Sequence, residues 1–411
     1  MKNWVTKKLG EVCVKITDGS HNPPKGVMSS DFIMLSSKNI FDDLIHYEEP
    51  RYLTQKDFEN ENKRTEVKNN DVLLTIVGTI GRVAVVPSNH PKFALQRSVA
   101  VLKTKENILD SRFLMFSLQN ILKFLTDEAR GVAQKGIYLN QLRDIEIPLP
   151  PLSEQQRIVS ILDDAFAKIG KAKANAEQNL KNAKELFESY LQGVLENGNW
   201  EEKTLGQLSK NKDAVVSGPF GSNLKVSDYK TEGIPILRLQ NIGKGYFINK
   251  SIKYITKQKA EELKYHSFVN GDIALAKLGI PIGKTCIIPE NFKSGIITAD
   301  IVRIRPDSNV VNYKFLENFL NTTLAVSQLT SNISGATRPR VNLSDVRNIV
   351  IKLPSLKEQQ TIVQKLDALN AETKKLEAVY QQKIKDLEEL KKSVLQKAFS
   401  GELKYKKEQI A

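Results

Sequence analysis

A chain of 411 residues exceeds one ordinary core, so at least two domains are expected. Lys+Arg 61 against Asp+Glu 47 gives a formal charge of +14 and a pI near 9.4, which favours a polyanionic partner. Cys13 and Cys286 form no CxxC pair, the four histidines are scattered, and no run approaches a membrane span, which excludes a disulfide framework, a zinc site and a transmembrane protein.

Residues 1–150 alternate short β-rich runs with short helical stretches. The opening segment MKNWVTKKLG has no apolar leader, so a reduced, cytoplasmic protein is expected. NPPK (22–25) is similar to the Asn-Pro-Pro-aromatic signature of adenine methyltransferases, but Lys25 cannot stack on a base, and the stretch reads as a loop. VLLTIVG (72–78) and VAVVP (83–87) flank a glycine-containing turn and predict a hairpin. SRFLMFSLQNILKFLTD (111–127) has helical periodicity, with Ser111 as its expected cap. Pro148, Pro150 and Pro151 then break the chain.

A long helix is predicted over 151–198, capped by Ser153 and with Glu154 in its first turn. Its apolar positions step by three and four, giving Ile158, Leu162, Ile169, Leu180, Phe187 and Val194 as a packing seam. Asp163-Asp164 lie on that helix about 100° apart, as a solvated pair and not a catalytic dyad. A second module follows at 199–354. Within it GIPIGKT (279–285) has three residues between its glycines, one too few for a phosphate-binding loop, and it precedes strand-like TCIIP, so it reads as a hairpin turn. A second long helix is predicted over 355–403, with Ile362, Leu366, Leu369, Leu376, Ile384, Leu387 and Val394 on its seam, and 404–411 forms a tail.

The organising feature is a repeat. LNQLRDIEIPLPPLSEQQRIVSILD (139–163) and LSDVRNIVIKLPSLKEQQTIVQKLD (343–367) agree at 14 of 25 positions at an offset of 204, including Leu149-Pro150, Leu152 and Glu154-Gln155-Gln156. Upstream, NWVTKKLGEV (3–12) pairs with NWEEKTLGQL (199–208), and NDVLLTIVGTIGRVAVVP (70–87) with GDIALAKLGIPIGKTCIIP (271–289). A period of about 200 residues is a duplicated domain. The expected fold is α+β: two similar globular modules separated by two long helices, which form an intramolecular antiparallel coiled coil in a pseudo-two-fold, circular organisation. A helix of about 42 residues extends about 63 Å and would act as a ruler.

The order of module, LPPLSEQQRIV, long helix, second module, LPSLKEQQTIV and second helix resembles the specificity subunit of type I DNA restriction–modification enzymes over essentially the whole chain. DGSH (18–21), SGPFGSNLKVSDY (217–229) and GIPILRLQNI (233–242) are similar to stretches of that family's target recognition domains. The resemblance implies double-stranded DNA as ligand, with each module reading one half of a bipartite, asymmetric site. It also implies two partner methyltransferase subunits and, in a restriction complex, translocase–endonuclease subunits. S-adenosylmethionine, ATP and Mg²⁺ would then bind those partners, with no catalytic site, cofactor or metal on this chain. The competing readings are a self-sufficient DNA-modifying enzyme with an unfamiliar site and an adaptor that does not read DNA.

Lys and Arg neutralise phosphates, and side chains at base edges discriminate sequence. Basic and amide-bearing loop positions make Lys25, Arg82, Arg97, Gln134 and Lys135 the candidate DNA contacts of the first module. Lys225, Lys277, Lys284, Arg338 and Arg340 are those of the second. Arg338 and Arg340 flank Pro339 at the position equivalent to Gln134-Lys135-Gly136.

Overall fold

The computed structural model describes residues 4–127, 136–331 and 340–402. The chain packs into two units, residues 1–176 with 382–411 and residues 177–381. Each unit therefore holds one module, the leading part of one long helix and the trailing part of the other. The tail 404–411 lies outside the described residues.

In the first unit an antiparallel four-stranded sheet runs in the order Cys13–Asp18, Val99–Thr104, Val72–Thr75, Val83–Val85. Strand periodicity divides its side chains between two cores. Val72, Leu74, Ala100 and Leu102 face the helix Ser111–Asn120, burying Phe113 and Phe116. Leu73, Val99 and Val101 face Ile33, Leu35 and Phe93 of a second sheet, ordered Arg51–Leu53, Phe32–Leu35, Phe93–Leu95. A two-stranded ribbon, Val5–Lys8 against Glu146–Leu149, ties the start of the module to its end, with Val5 opposite Leu149. The helix is capped by Asp110, whose carboxylate accepts from the Phe113 N–H at 2.9 Å, so Ser111 is its first turn and not its cap.

The second unit repeats this plan by itself. Its sheet runs Val215–Ser217, Ile301–Ile304, Ile273–Ala276, Thr285–Ile287, and its ribbon pairs Glu201–Thr204 with Val350–Leu353. Ile273, Leu275, Val302 and Ile304 pack on Phe315 and Phe319, while Ala274, Cys286 and Ile301 face Leu237, Phe268 and Ile297. GIPIGKT is the turn of a hairpin between Ile273–Ala276 and Thr285–Ile287, with Gly279 and Gly283 at positive φ.

The long helices span Leu152–Asn197 and Leu356–Phe399. The first begins one residue before Ser153, with the Glu154 and Gln155 N–H groups donating to the Pro151 carbonyl, so Ser153 is not its cap. Ser355, which matches Pro151 at the offset of 204, does cap the second helix: its hydroxyl accepts from the Glu358 N–H at 3.4 Å while its own N–H donates to the Glu358 carboxylate at 2.9 Å. One residue behind each glutamate, Gln155 and Gln359 are fully buried and clamp helix to module. Gln155 donates to the carbonyls of Ile108 and Pro150, both at 2.8 Å, and accepts from the Asp110 N–H at 2.9 Å. Gln359 donates to Val310 and Pro354 and accepts from the Asn312 N–H at 2.7 Å.

Within each unit the helix segments run antiparallel. In the first, Lys173 pairs with Glu388 at 2.7 Å and Lys391 lies 4.9 Å from the Phe166 ring, so numbers fall on one helix as they rise on the other. In the second, Leu191 and Leu195 share a core with Ile362 and Leu366, whereas Lys184 and Phe187 line one pocket with Asn370 and Thr373. Ile158, Leu162, Ile362 and Leu366 are buried; Ile169, Leu180, Phe187, Val194, Leu369, Ile384, Leu387 and Val394 are half-buried. Leu376 is not a seam residue: it is 40% exposed, while Thr373 is buried one turn earlier. Small side chains, Ala183 and Thr373, occupy the buried positions in this stretch of the second unit, leaving the longer leucine on the flank. Near the C-terminal ends of the two helices Leu191, Leu195, Leu395 and Ala398 are buried, because there each helix packs on the module of its unit as well as beside the other helix.

Candidate nucleic-acid interface

Each module carries a pocket at the same place, where the first strand of the four-stranded sheet ends beside the segment that closes the module. The backbone hydrogen bonds fix which residues correspond. The Gly19 N–H donates to Val99 and the Gly218 N–H to Ile301; Ile76 donates to Ser98 and Lys277 to Asp300; Ile137 donates to Ile76 and Val341 to Lys277. Asp18 thus matches Ser217, His21 matches Phe220, Ile76 matches Lys277, and Gly136 matches Arg340. Gly19 and Gly218 are required by close approach, since a Cβ at either would sit 2.1 Å from the carbonyl oxygen of Leu95 or Thr298.

In the first module the pocket has a volume of about 410 Å³ and is lined by Asp18, His21, Arg64, Arg97, Val77 and Tyr138 among others. Asp18 is buried and its carboxylate is fully engaged: Arg64 donates to one oxygen, and His21 Nε2 lies 2.8 Å from the other. Arg64 also donates to the Thr17 hydroxyl. Arg97 stands exposed on the rim, the one member of the sequence-derived set brought here among the described residues.

The second module's pocket, about 290 Å³, has different chemistry. Lys277 is not a solvent-facing loop cation. It is only 3% exposed, its ammonium donates to the Ser217 hydroxyl, and it lies 6.0 Å from the Phe220 ring centre. Burial, with Arg340 nearby, pushes its pKa below the usual lysine range, and Asp300 opposes this only in part. Arg340 is exposed at the mouth and pairs with Asp300 at 2.8 Å. His266 Nδ1 lies 2.7 Å from the Ser217 carbonyl, and the Tyr265 hydroxyl donates to Asp213 at 3.0 Å.

The remaining sequence-derived candidates are dispersed. Lys25 is exposed beside Pro24 and Arg51 in a separate shallow pocket of the first module. Arg82 is half-buried and its guanidinium reaches the Ile40 carbonyl at 3.4 Å, so it is tied to its own module. Lys225 is exposed before the turn Val226–Asp228, and Lys284 is half-buried after the GIPIGKT turn. Gln134, Lys135 and Arg338 lie outside the described residues. Sequence reasoning missed Arg64, which reaches Asp18 across 46 residues with no local motif to announce it. It also missed the burial of Lys277, although pairing NDVLLTIVG with GDIALAKLG sets that lysine opposite Ile76 in an apolar run. Burial raises the Cys13 and Cys286 thiols to about 12, so both stay protonated at neutral pH. Among the described residues no helix is long and apolar enough to cross a membrane.

The two pockets therefore share one backbone frame and differ in polar lining. The MjaVIII specificity subunit of Methanocaldococcus jannaschii is 24% identical, over 84% of this chain and 82% of the relative. The EcoBI specificity subunit of Escherichia coli is 25% identical, over 80% of this chain and 73% of the relative. A solved chain from work on assembly and conformational transition of the type I R-M system superposes with a TM-score of 0.74 at 20% identity, covering 98% of this chain and 99% of the other. The profile of the type I restriction modification DNA specificity domain matches residues 1–181 and again 197–386, one match for each module with the leading part of the helix that follows it. With most of the length accounted for by two consecutive copies of that single domain, the chain belongs to the type I restriction–modification DNA specificity family.

Proposed function

We propose that this chain is the DNA sequence-recognition subunit of a restriction–modification complex, and that its two modules read the two halves of a bipartite, asymmetric target. The observation that carries this reading is the repeated pocket, alike in backbone and different in polar lining: an Asp18–Arg64–His21 cluster in one module, Ser217 with Lys277 in the other. Half-sites of different sequence follow from that difference. The long helices act as the spacer that sets the unread gap, and they offer docking surface to two methyltransferase subunits. The chemistry belongs to those subunits, with S-adenosylmethionine bound there; ATP and Mg²⁺ serve translocase–endonuclease subunits where these join. This chain supplies address and spacing.

The test is to co-express the chain with the methyltransferase subunit of its own system and map modified adenines across a genome. A bipartite motif is expected. Exchanging residues 1–150 for another first module should change one half-site and leave the other intact; a change in both halves, or in neither, sinks the modular reading. Turnover by the purified chain alone with S-adenosylmethionine would instead establish an active site on this subunit.

A further inference from the structure

Lys277 is the least expected charge in the molecule. Its slot on the sheet is filled by the apolar Ile76 in the first module, and burying an ammonium without a counter-ion is costly. Among the described residues no carboxylate forms an ion pair with it, and its hydrogen-bond partner is the Ser217 hydroxyl. The nearby carboxylate, Asp300, is taken by Arg340 at 2.8 Å. An ammonium has three N–H donors, so Lys277 keeps capacity directed at a cavity of about 290 Å³. Of the other polar groups at the wall, Tyr265 spends its proton on Asp213, and His266 is turned through Nδ1 to the Ser217 carbonyl. Among the described residues, Lys277 and Arg340 against Asp300 leave a net positive charge at the cavity.

We propose that this cavity of the second module is a seat for one DNA backbone phosphate, held by Lys277 from within and by Arg340 at the mouth, and that the first module has no such seat. The inference rests on the DNA-reading function proposed above and assigns the pocket its ligand. Geometry selects phosphate over a base edge. A recessed donor reaches only an acceptor that protrudes from the duplex, as phosphate oxygens do, whereas base edges lie at the floor of a groove roughly 8.5 Å deep. The depressed pKa of Lys277 fits the same picture, because a bound anion supplies the charge partner that the free pocket lacks. In the first module Ile76 stands where Lys277 does and Asp18 where Ser217 does, so no ammonium stands at the equivalent buried position, and Arg64 is committed to Asp18. The contact therefore fixes the register of the second module on its half-site and does not read sequence.

Two substitutions install the first module's own residues in the second: Lys277→Ile and Ser217→Asp. The first removes the cation; the second leaves it but supplies a carboxylate partner inside the pocket. The full chain, assembled with its methyltransferase subunits, is titrated against a duplex carrying the methylated motif at several salt concentrations. Each variant should bind about ten- to a hundredfold more weakly at 0.1 M salt. Each should also lose about 0.9 from the slope of log K against log salt, the amount for one phosphate, with the methylated motif unchanged. Slopes equal to wild type in both variants would overturn the proposal, as would a new second half-site, which would make Lys277 a base reader. If Lys277→Ile does not fold, Ser217→Asp decides alone. A wild-type complex that methylates no bipartite motif would bring down the proposed function instead, and the slopes would then be compared on a duplex of arbitrary sequence.

Discussion

Replacing Gln155 by alanine removes a side chain that is fully buried and makes three hydrogen bonds at 2.8–2.9 Å between the first long helix and its module. Two carbonyls and one N–H lose their partner, each worth about 1 kcal/mol net, and the void left by the truncated side chain adds to this. The expected loss is about 3–4 kcal/mol for the first unit. With a urea dependence of about 2 kcal/mol/M, the midpoint should fall by about 1.5–2 M. The chain has two tryptophans, Trp4 packed against the core of the first unit and Trp200 against that of the second. In a Trp200→Phe background the fluorescence transition of Trp4 therefore reports the first unit alone. Gln156, the exposed neighbour in the same motif, provides the control, and Gln156→Ala should stay within about 0.5 kcal/mol of the parent. If Gln155→Ala and Gln156→Ala unfold at the same urea concentration, the clamp contributes nothing and the reasoning fails. The mirror experiment, Gln359→Ala read by Trp200, should reproduce the loss in the second unit.

Two further outcomes follow from the same geometry. Because burial depresses the Lys277 pKa, the unfolded chain binds more protons than the folded one between that lowered value and the ordinary lysine value near 10.5. The lysine therefore destabilises the second unit at neutral pH, and its cost fades as pH rises through that window. Lys277→Ile should raise the Trp200-reported stability by about 1 kcal/mol at pH 7, with the gain shrinking towards pH 10 in matched urea titrations; a pH-independent gain would show that charge is not its cause. The spacer reading makes a separate forecast. Inserting one heptad, about 10.5 Å of helix, into both long helices should lengthen the gap in the methylated motif and leave both half-sites alone, and an unchanged gap would count against a spacer role.

Some of this protein is legible in one dimension because it depends on near neighbours along the chain. The repeat at an offset of 204, the two long helices and the hairpin in place of a phosphate loop all follow from local periodicity and from glycine and proline placement. The Glu-Gln-Gln motif stands out in sequence, yet its meaning does not. Gln155 and Gln359 clamp atoms some 45–50 residues away, which no spacing rule reveals. Cap assignments erred by one position at Ser111 and by two at Ser153, since the residue that caps is decided by which carbonyls and N–H groups the preceding turn leaves free. Leu376 fits the heptad, but the small buried residues of that stretch leave it outside the seam.

The family, the duplicated architecture and the expectation that the two modules read different targets were determined by the sequence itself, because a duplication leaves its mark residue by residue. The linings of the two pockets were decided only in three dimensions. Ser217, Lys277 and Arg340 meet there because the sheet order brings distant strands together, and the same topology joins Asp18 to Arg64 in the other copy. Whether a lysine is a solvated surface charge or a buried, unneutralised cation depends on what packs around it, and that is set by the long-range contacts of the fold.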